Sequence, residues 1–408
     1  MQLKKLNNPH PLGYLQMSLF ILIELLLIFD KTFSKFHLIG PLYLYDILLI
    51  ILTLVSGFLV LKSKLIVKEW SIVVLIGVAV LYVLYSFFIL KTPTNYTVRQ
   101  FAIIVYLFNI YLIFSAFISI NAQEYNLRFL ILLGIGSIVL QIGFHAYNLI
   151  TVPGYLSRIF DSFNYYSEMG FMALFTFLAY ILVYFGKKNK LLIIIFFLFV
   201  IISLGHQGSA IIVSFIIIAS YLFLMSNFFF KKTLLLGTAF LVFLIFYSNS
   251  DFFLDQNTMW RIAFWKTSLS DIVFTKLGVL GHGFGITFTS SEVLEIMRNE
   301  LKDIRFETTP SEQYLSPMHN SFITIAYHIG FVFMLLIFVP LKNMFLYILN
   351  RNNNTPTLAK DFLSITLIGL IGWSSFHVIL ELPHSSALFW LVYFSTIYEF
   401  NHKPKPIA

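Results

Sequence analysis

Apolar runs long enough to cross a bilayer recur along nearly the whole chain, and that recurrence decides what the chain can fold into. The candidates are residues 13–29, 42–61, 71–90, 101–120, 129–150, 169–185, 191–204, 210–225, 234–247, 320–339, 362–380 and 386–400. A helix needs ~20 apolar residues to cover a ~30 Å hydrocarbon core, so 191–204 and 234–247 are the weakest members of the set. Helices also close their own backbone hydrogen bonds in lipid. The expected fold is therefore all-α: a polytopic membrane helix bundle of about 12 transmembrane helices, not a porin-like barrel. Composition agrees, with 59% hydrophobic and 11% charged residues and a mean hydropathy of +0.85. A soluble domain carries ~25% charged residues.

The net charge of +8 is spread as lysines over short loops and forms no basic domain, so it argues for membrane topology and against a nucleic-acid partner. The absence of cysteine excludes disulfides, thiolate metal sites and cysteine nucleophiles. The first apolar run lacks an Ala-x-Ala-like exit and reads as an uncleaved span. Placing Lys187, Lys188 and Lys190 on the same side as Lys231 and Lys232 makes the residues between them a helical hairpin, with its outer turn at 205–209. That parity puts both termini inside and 249–318 outside. Arginine then falls on both sides, with Arg128 and Arg351 inside and Arg99, Arg158, Arg261, Arg298 and Arg305 outside. Topology asks only for positive charge, whereas an outer excess of planar guanidinium groups suits phosphate or carboxylate recognition.

The domain organisation expected is nine spans in 1–248, an outer loop in 249–318, and three spans with a cytoplasmic tail in 319–408. The polar stretch from Asn257 to Gly330 is the place to seek chemistry. An amphipathic helix starting near Thr258, capped by Asn257, places Arg261, Trp265, Ser268 and Ile272 on one face. A second begins at Thr289, with Glu292 completing a capping box, and aligns Val293, Met297, Leu301 and Ile304. Such helices rest on a membrane surface and would roof a cavity.

His319 immediately precedes an apolar run, where an accessible imidazole suits proton transfer; an interfacial cap is the plainer reading. Arg158 has a surface pair with Asp161 as its plain alternative, and Arg261 a stack beside Trp265. Together the two arginines and the histidine make a site for a lipid-linked phosphate. Gly281-His282-Gly283-Phe284-Gly285 lacks the Gly-Lys-Ser/Thr of a nucleotide loop and reads as a tight turn re-entering the bundle. Glu24, Asp46, His145, Glu168 and His377 fall in or near outer halves of spans and point to a polar vestibule. His377, Glu381 and His384 have the spacing of a helical face, but Pro383 interrupts it, so no metal is assigned.

Arg261-x-x-x-Trp265, Leu280-Gly-His-Gly-Phe-Gly285 and His319-Asn320-Ser-Phe-Ile323 followed by Ile329-Gly330 together resemble the signature of the O-antigen polymerase/ligase family. Arg158-Ile-Phe-Asp-Ser-Phe163 resembles that family's arginine loop before a span. The resemblance covers about 160–340 in pieces. Tyr166-Ser167 stand where many members have Pro-Asn, and Gly205-His-Gln-Gly-Ser209 where many have Ser-Arg. It implies a GT-C type glycosyltransferase of the bacterial inner membrane, working without metal or cofactor. Such an enzyme moves a glycan from undecaprenyl pyrophosphate to an acceptor glycan hydroxyl, with inversion, at the periplasmic face. It also implies membrane lipid and a chain-length regulator as partners.

Carried over by position, Arg158 and Arg261 hold the pyrophosphate. His319 orients or deprotonates the acceptor. Asn320, Trp265, His282, Gln207, His206 and Arg99 are secondary candidates. The same constellation serves a polymerase or a ligase. A flippase is the alternative from another class, although a transporter gathers its polar residues nearer mid-membrane.

Overall fold

The computed structural model describes residues 11–28, 37–39, 42–63, 69–119, 123–154, 168–186, 208–225, 256–288, 314, 319–351 and 356–401. In chain order these form α1 (Pro11–Ile28), the antiparallel pair β1 (His37–Ile39) and β2 (Leu42–Tyr43), α2 (Leu44–Ser63) and α3 (Trp70–Tyr85). Then come α4 (Thr94–Ser119), α5 (Gln123–Thr151), α6 (Glu168–Phe185), α7 (Gly208–Met225), α8 (Gln256–Phe274) and α9 (Lys276–Leu280). The series ends with α10 (Ser321–Ile329), α11 (Phe331–Leu349), α12 (Leu358–Ser374) and α13 (Pro383–Asn401). Apart from the one small hairpin, the described elements are helical. Trp70–Leu90, Thr94–Ile118 and Phe331–Leu349 are long and apolar enough to cross a membrane, and shorter apolar helices cover Gly170–Phe185 and Ser209–Met225 among others.

These helices are apolar on both faces. On α3, Ile72, Leu75 and Ala79 are fully buried, while Val74 and Leu81 point outward and are exposed. A helix apolar all round belongs in a core or in lipid. Ser86–Leu90 widens into one π-helical turn closed by Lys91 in the left-handed region. In α11, Pro340 has no N–H to donate, and the helix tightens into 3-10 turns at Leu335–Ile337 and Val339–Leu341 before resuming at Lys342.

Three expectations change. The run 320–339 is not one span: the helix breaks at Gly330, whose φ of 94° leaves a nine-residue α10 and starts the membrane-length α11. The run 362–380 stops being helical at Ser374. The helix carrying Arg261 begins at Gln256, so Asn257 lies within it and not before it. The face predicted for that helix holds: Ser268 and Ile272 are buried, and Arg261 and Trp265 half-buried. The runs 191–204 and 234–247 and the helix expected from Thr289 lie outside the described residues, as do the side chains of Glu24, Asp46, His145 and Glu168.

Polar contacts gather the helix ends into two groups. At one end the Asn401 amide donates to Glu69 at 3.0 Å and accepts from Asn343 at 2.9 Å, and Lys360 lies 5.5 Å over the Phe400 ring. Arg351 and Asp361 pair at the same end. The opposite end of α7 and α12 brings Ser209 against His377. The expected site residues within the described set belong to this second end.

Candidate functional site

The re-entrant glycine turn is built by close backbone approach. Gly281, Gly283 and Gly285 all take positive φ, and a Cβ on Gly281 would lie 2.5 Å from the Gly330 nitrogen. Only glycine fits both demands. The two breaks therefore interlock, and the turn is tied to α10 by His282 N–H to the Tyr327 carbonyl and Gly283 N–H to the His328 carbonyl, both 2.9 Å. On its other side Phe284 N–H donates to Ser86 Oγ and Gly285 N–H to Gln100 Oε1, both 2.7 Å. Gln100 donates in turn to the carbonyls of Ile286 and Tyr314. This segment is threaded into the bundle. It holds the C-terminal end of α10.

α10 starts at a strong cap. Asn320 is extended and its side-chain oxygen accepts from the amides of Phe322 and Ile323, each at 3.1 Å. His319, one residue earlier, is half-buried and sits at φ 48°, a left-handed conformation uncommon outside glycine.

The turn 375–382, between α12 and α13, joins this start to Arg261. Arg261 Nη1 donates to the Phe376 carbonyl at 3.1 Å, and the Trp265 ring lies 6.0 Å from that of Phe376. The next residue, His377, is buried against Trp373 at 3.8 Å with its Nε2 2.7 Å from Ser209 Oγ. Ser321 Oγ lies 3.3 Å from the His377 carbonyl and 2.5 Å from Glu381 Oε2, and accepts the amides of Ile379 and Leu380. One turn thus anchors both Arg261, by the Phe376 carbonyl, and the segment that carries His319, by the bonds of Ile379, Leu380 and Glu381 to Ser321.

Glu381 closes this turn outside the helices on either side. Its residue surface is partly exposed, but its carboxyl oxygen Oε1 is buried, and the carboxyl decides the electrostatics. Burial raises its pKa to about 7, against hydrogen bonds from Ser321, Thr324 and the amides of Leu380 and Glu381 that favour the charged form.

Of the expected site residues, Arg261 and Trp265 touch this turn, and His319 and Asn320 directly precede Ser321, which is bonded to it. His282 is placed elsewhere: it stacks on Tyr327 at 4.4 Å, pairs with Asp271 at 2.9 Å and holds the glycine turn. Tyr327 lies six residues beyond Ser321, about 9 Å along α10. Arg99 lies on α4 with its side chain exposed. Arg158, His206 and Gln207 lie outside the described residues.

Sequence reasoning missed Ser321, Gln100 and Ser86, and took Glu381 only as part of a helical spacing that the end of α12 at Ser374 removes. The signal for Ser321 was its place directly after Asn320. Glu381 was signalled as a carboxylate in a short link between two apolar runs. Comparison with family models, with curated proteins and with solved structures finds no match to this chain.

Proposed function

We propose that this chain is a metal-independent inverting glycosyltransferase of the O-antigen polymerase type, a bundle of about twelve spans in the bacterial inner membrane. Both termini are cytoplasmic in this reading, and the end bearing Arg261, His319 and the 375–382 turn faces the periplasm. The donor is a glycan on undecaprenyl pyrophosphate, and the acceptor is a hydroxyl of another glycan. The observation that carries the reading is the shared anchorage: Arg261 is fastened to the Phe376 carbonyl, and the His319–Ser321 segment is fastened through Ser321 to the Ile379 and Leu380 amides and the Glu381 carboxyl of the same turn.

In the reaction the acceptor oxygen bonds to the anomeric carbon as the bond from that carbon to the pyrophosphate oxygen breaks. The electron pair leaves with the pyrophosphate, where Arg261 and Arg158 stabilise the developing charge. The acceptor's proton passes to His319, an imidazole suited to hold it near neutral pH.

Arg261→Ala and His319→Ala are the test. Each is expected to lower polymer formation ~100-fold or more, the cost of removing one charge-stabilising donor or base. Polymer is read as a ladder of glycan lengths on a gel, and membrane insertion stays at the parent level. Full activity in both variants would end the proposal. Deletion of the gene separates polymerase from ligase: single repeats on the final acceptor support the polymerase, and long chains stranded on the lipid carrier turn the assignment to a ligase.

A further inference from the structure

The first turns of α4 carry two sets of polar side chains that are treated differently. At 3.6 residues per turn, Asn95, Arg99, Tyr96, Gln100 and Thr97 follow one another round the helix in that order. Gln100 and Thr97 are buried and engaged. Gln100 accepts the Gly285 amide at 2.7 Å and donates to the carbonyls of Ile286 and Tyr314 at 2.8 and 2.9 Å, and Thr97 donates to the Pro93 carbonyl. Asn95 and Arg99, on the other side of Tyr96, are exposed. Neither of their side chains has a hydrogen-bond or ion-pair partner among the described residues.

The Tyr96 ring stacks on that of Tyr314, with centroids 4.4 Å apart and planes 6° from parallel. Since Gln100 also holds the Tyr314 carbonyl, this residue of the 249–318 segment is pinned to α4 twice. Each ring spends one face on the other. Both side chains stay half-exposed, and neither phenol hydroxyl has a partner among the described residues.

A lone tyrosine at the end of a span would be an interfacial anchor. Here two tyrosines stand with an amide and a guanidinium, all with their polar groups unspent. Arg99 is a helical neighbour of Asn95 at i,i+4 and of Tyr96 at i,i+3. Phenols and an amide both donate and accept, and a guanidinium donates in a planar fork that fits two adjacent oxygens. The rings add apolar area. A sugar presents the matching set: hydroxyls that donate and accept, and an apolar C–H face. A lipid phosphate only accepts, and so uses the donors alone.

Tyr314 precedes His319 by five residues, so the two lie at most ~18 Å apart even with the chain extended between them. That is within the reach of a short oligosaccharide. We propose that Asn95, Tyr96, Arg99 and Tyr314 form a glycan subsite that holds the non-reacting sugars of the acceptor while its end lies at His319. The identity of that glycan as acceptor rests on the transferase reading; the cluster of unspent groups does not.

Arg99→Ala and the double variant Tyr96→Phe/Tyr314→Phe are the test. An exposed arginine without a partner can be removed, and phenylalanines keep the ring stack, so both variants should melt with the parent. The probe is an oligosaccharide of four repeats cut from the source strain's own polysaccharide, titrated into the full chain in lipid nanodiscs. The parent is expected to bind it, and each variant to bind it roughly tenfold more weakly, the worth of one charged or two neutral hydrogen bonds. The variants' glycan ladder should shift to shorter chains.

A parent that binds no oligosaccharide, or variants that bind it as tightly as the parent, overturns the subsite. So does a headgroup result: less phosphatidylglycerol co-purifying with Arg99→Ala than with the parent, while oligosaccharide binding is unchanged. A parent that binds through these residues yet forms no polymer defeats the transferase reading and leaves the subsite standing. A parent that polymerises, with both variants matching its ladder and its binding, removes the subsite and leaves the transferase reading.

Discussion

Each end of the bundle buries a carboxyl group, and the two are treated in opposite ways. Asp361 accepts Arg351 Nε at 3.0 Å and Nη2 at 2.7 Å, a two-point guanidinium pair, and accepts Tyr347 Oη at 2.6 Å as well. It is 2% exposed, with its charge fully answered. Glu381 has a serine, a threonine and two amides but no cation, and leaves one buried oxygen unbonded. A matched pair between helices fixes structure. A buried carboxyl without a cation, on the turn whose Phe376 carbonyl holds Arg261, is placed where function usually sits.

The comparison breaks most visibly at Arg351. Arg351→Ala leaves Asp361 buried without its partner, which typically costs ~3–5 kcal/mol. The thermal midpoint in detergent should fall sharply, and the surviving folded protein should keep its activity per molecule. A variant that melts with the parent would show that this pair is not what holds the end together.

At the other end the sign reverses with pH. The folded state raises the pKa of Glu381 above the ordinary carboxylate value, so its contribution to stability is fully present below about pH 4.5 and is lost as pH rises through about 7. Glu381→Gln removes that loss. It is expected to stabilise the protein by at most about 3 kcal/mol near pH 8 and to change little near pH 4.5. Equal shifts in thermal midpoint at both pH values would show that the carboxyl is not held neutral by the fold.

The same contrast explains what the sequence made legible. Hydropathy finds α3, α4 and the first part of α11 because their apolar residues lie together in the chain. The turn at 281–285 is visible as three alternating glycines, and the Arg261 face as a helical spacing. The break at Gly330 is not visible to hydropathy, since the residues on both sides are apolar and only the backbone angle changes. Nor is the end of α12 visible, because Phe376 to Leu380 stay largely apolar. What redirects that backbone is Ser321, 58 residues away from Ile379 in sequence. Gln100 reaches Gly285 across 185 residues. Contacts of that separation leave no periodicity to read, and they are the contacts that assemble the site.

The smallest effect is the most discriminating. Among the described residues, Lys91 and His319 are the two non-glycine positions with positive φ, at 52° and 48°. Lys91 closes the π-helical turn of Ser86–Leu90, where a left-handed residue commonly ends a helix. His319 precedes an N-cap, a place where helix geometry requires no left-handed residue. Glycine relieves the side-chain cost of that conformation at either position, so Lys91→Gly and His319→Gly should each gain up to ~1 kcal/mol in stability. Their activities should part: Lys91→Gly keeps glycan transfer, and His319→Gly loses it while melting no lower than the parent. Strain retained at a position where relief abolishes activity belongs to the site. If His319→Gly both melts later and stays active, the histidine is only a bend in the chain before Asn320.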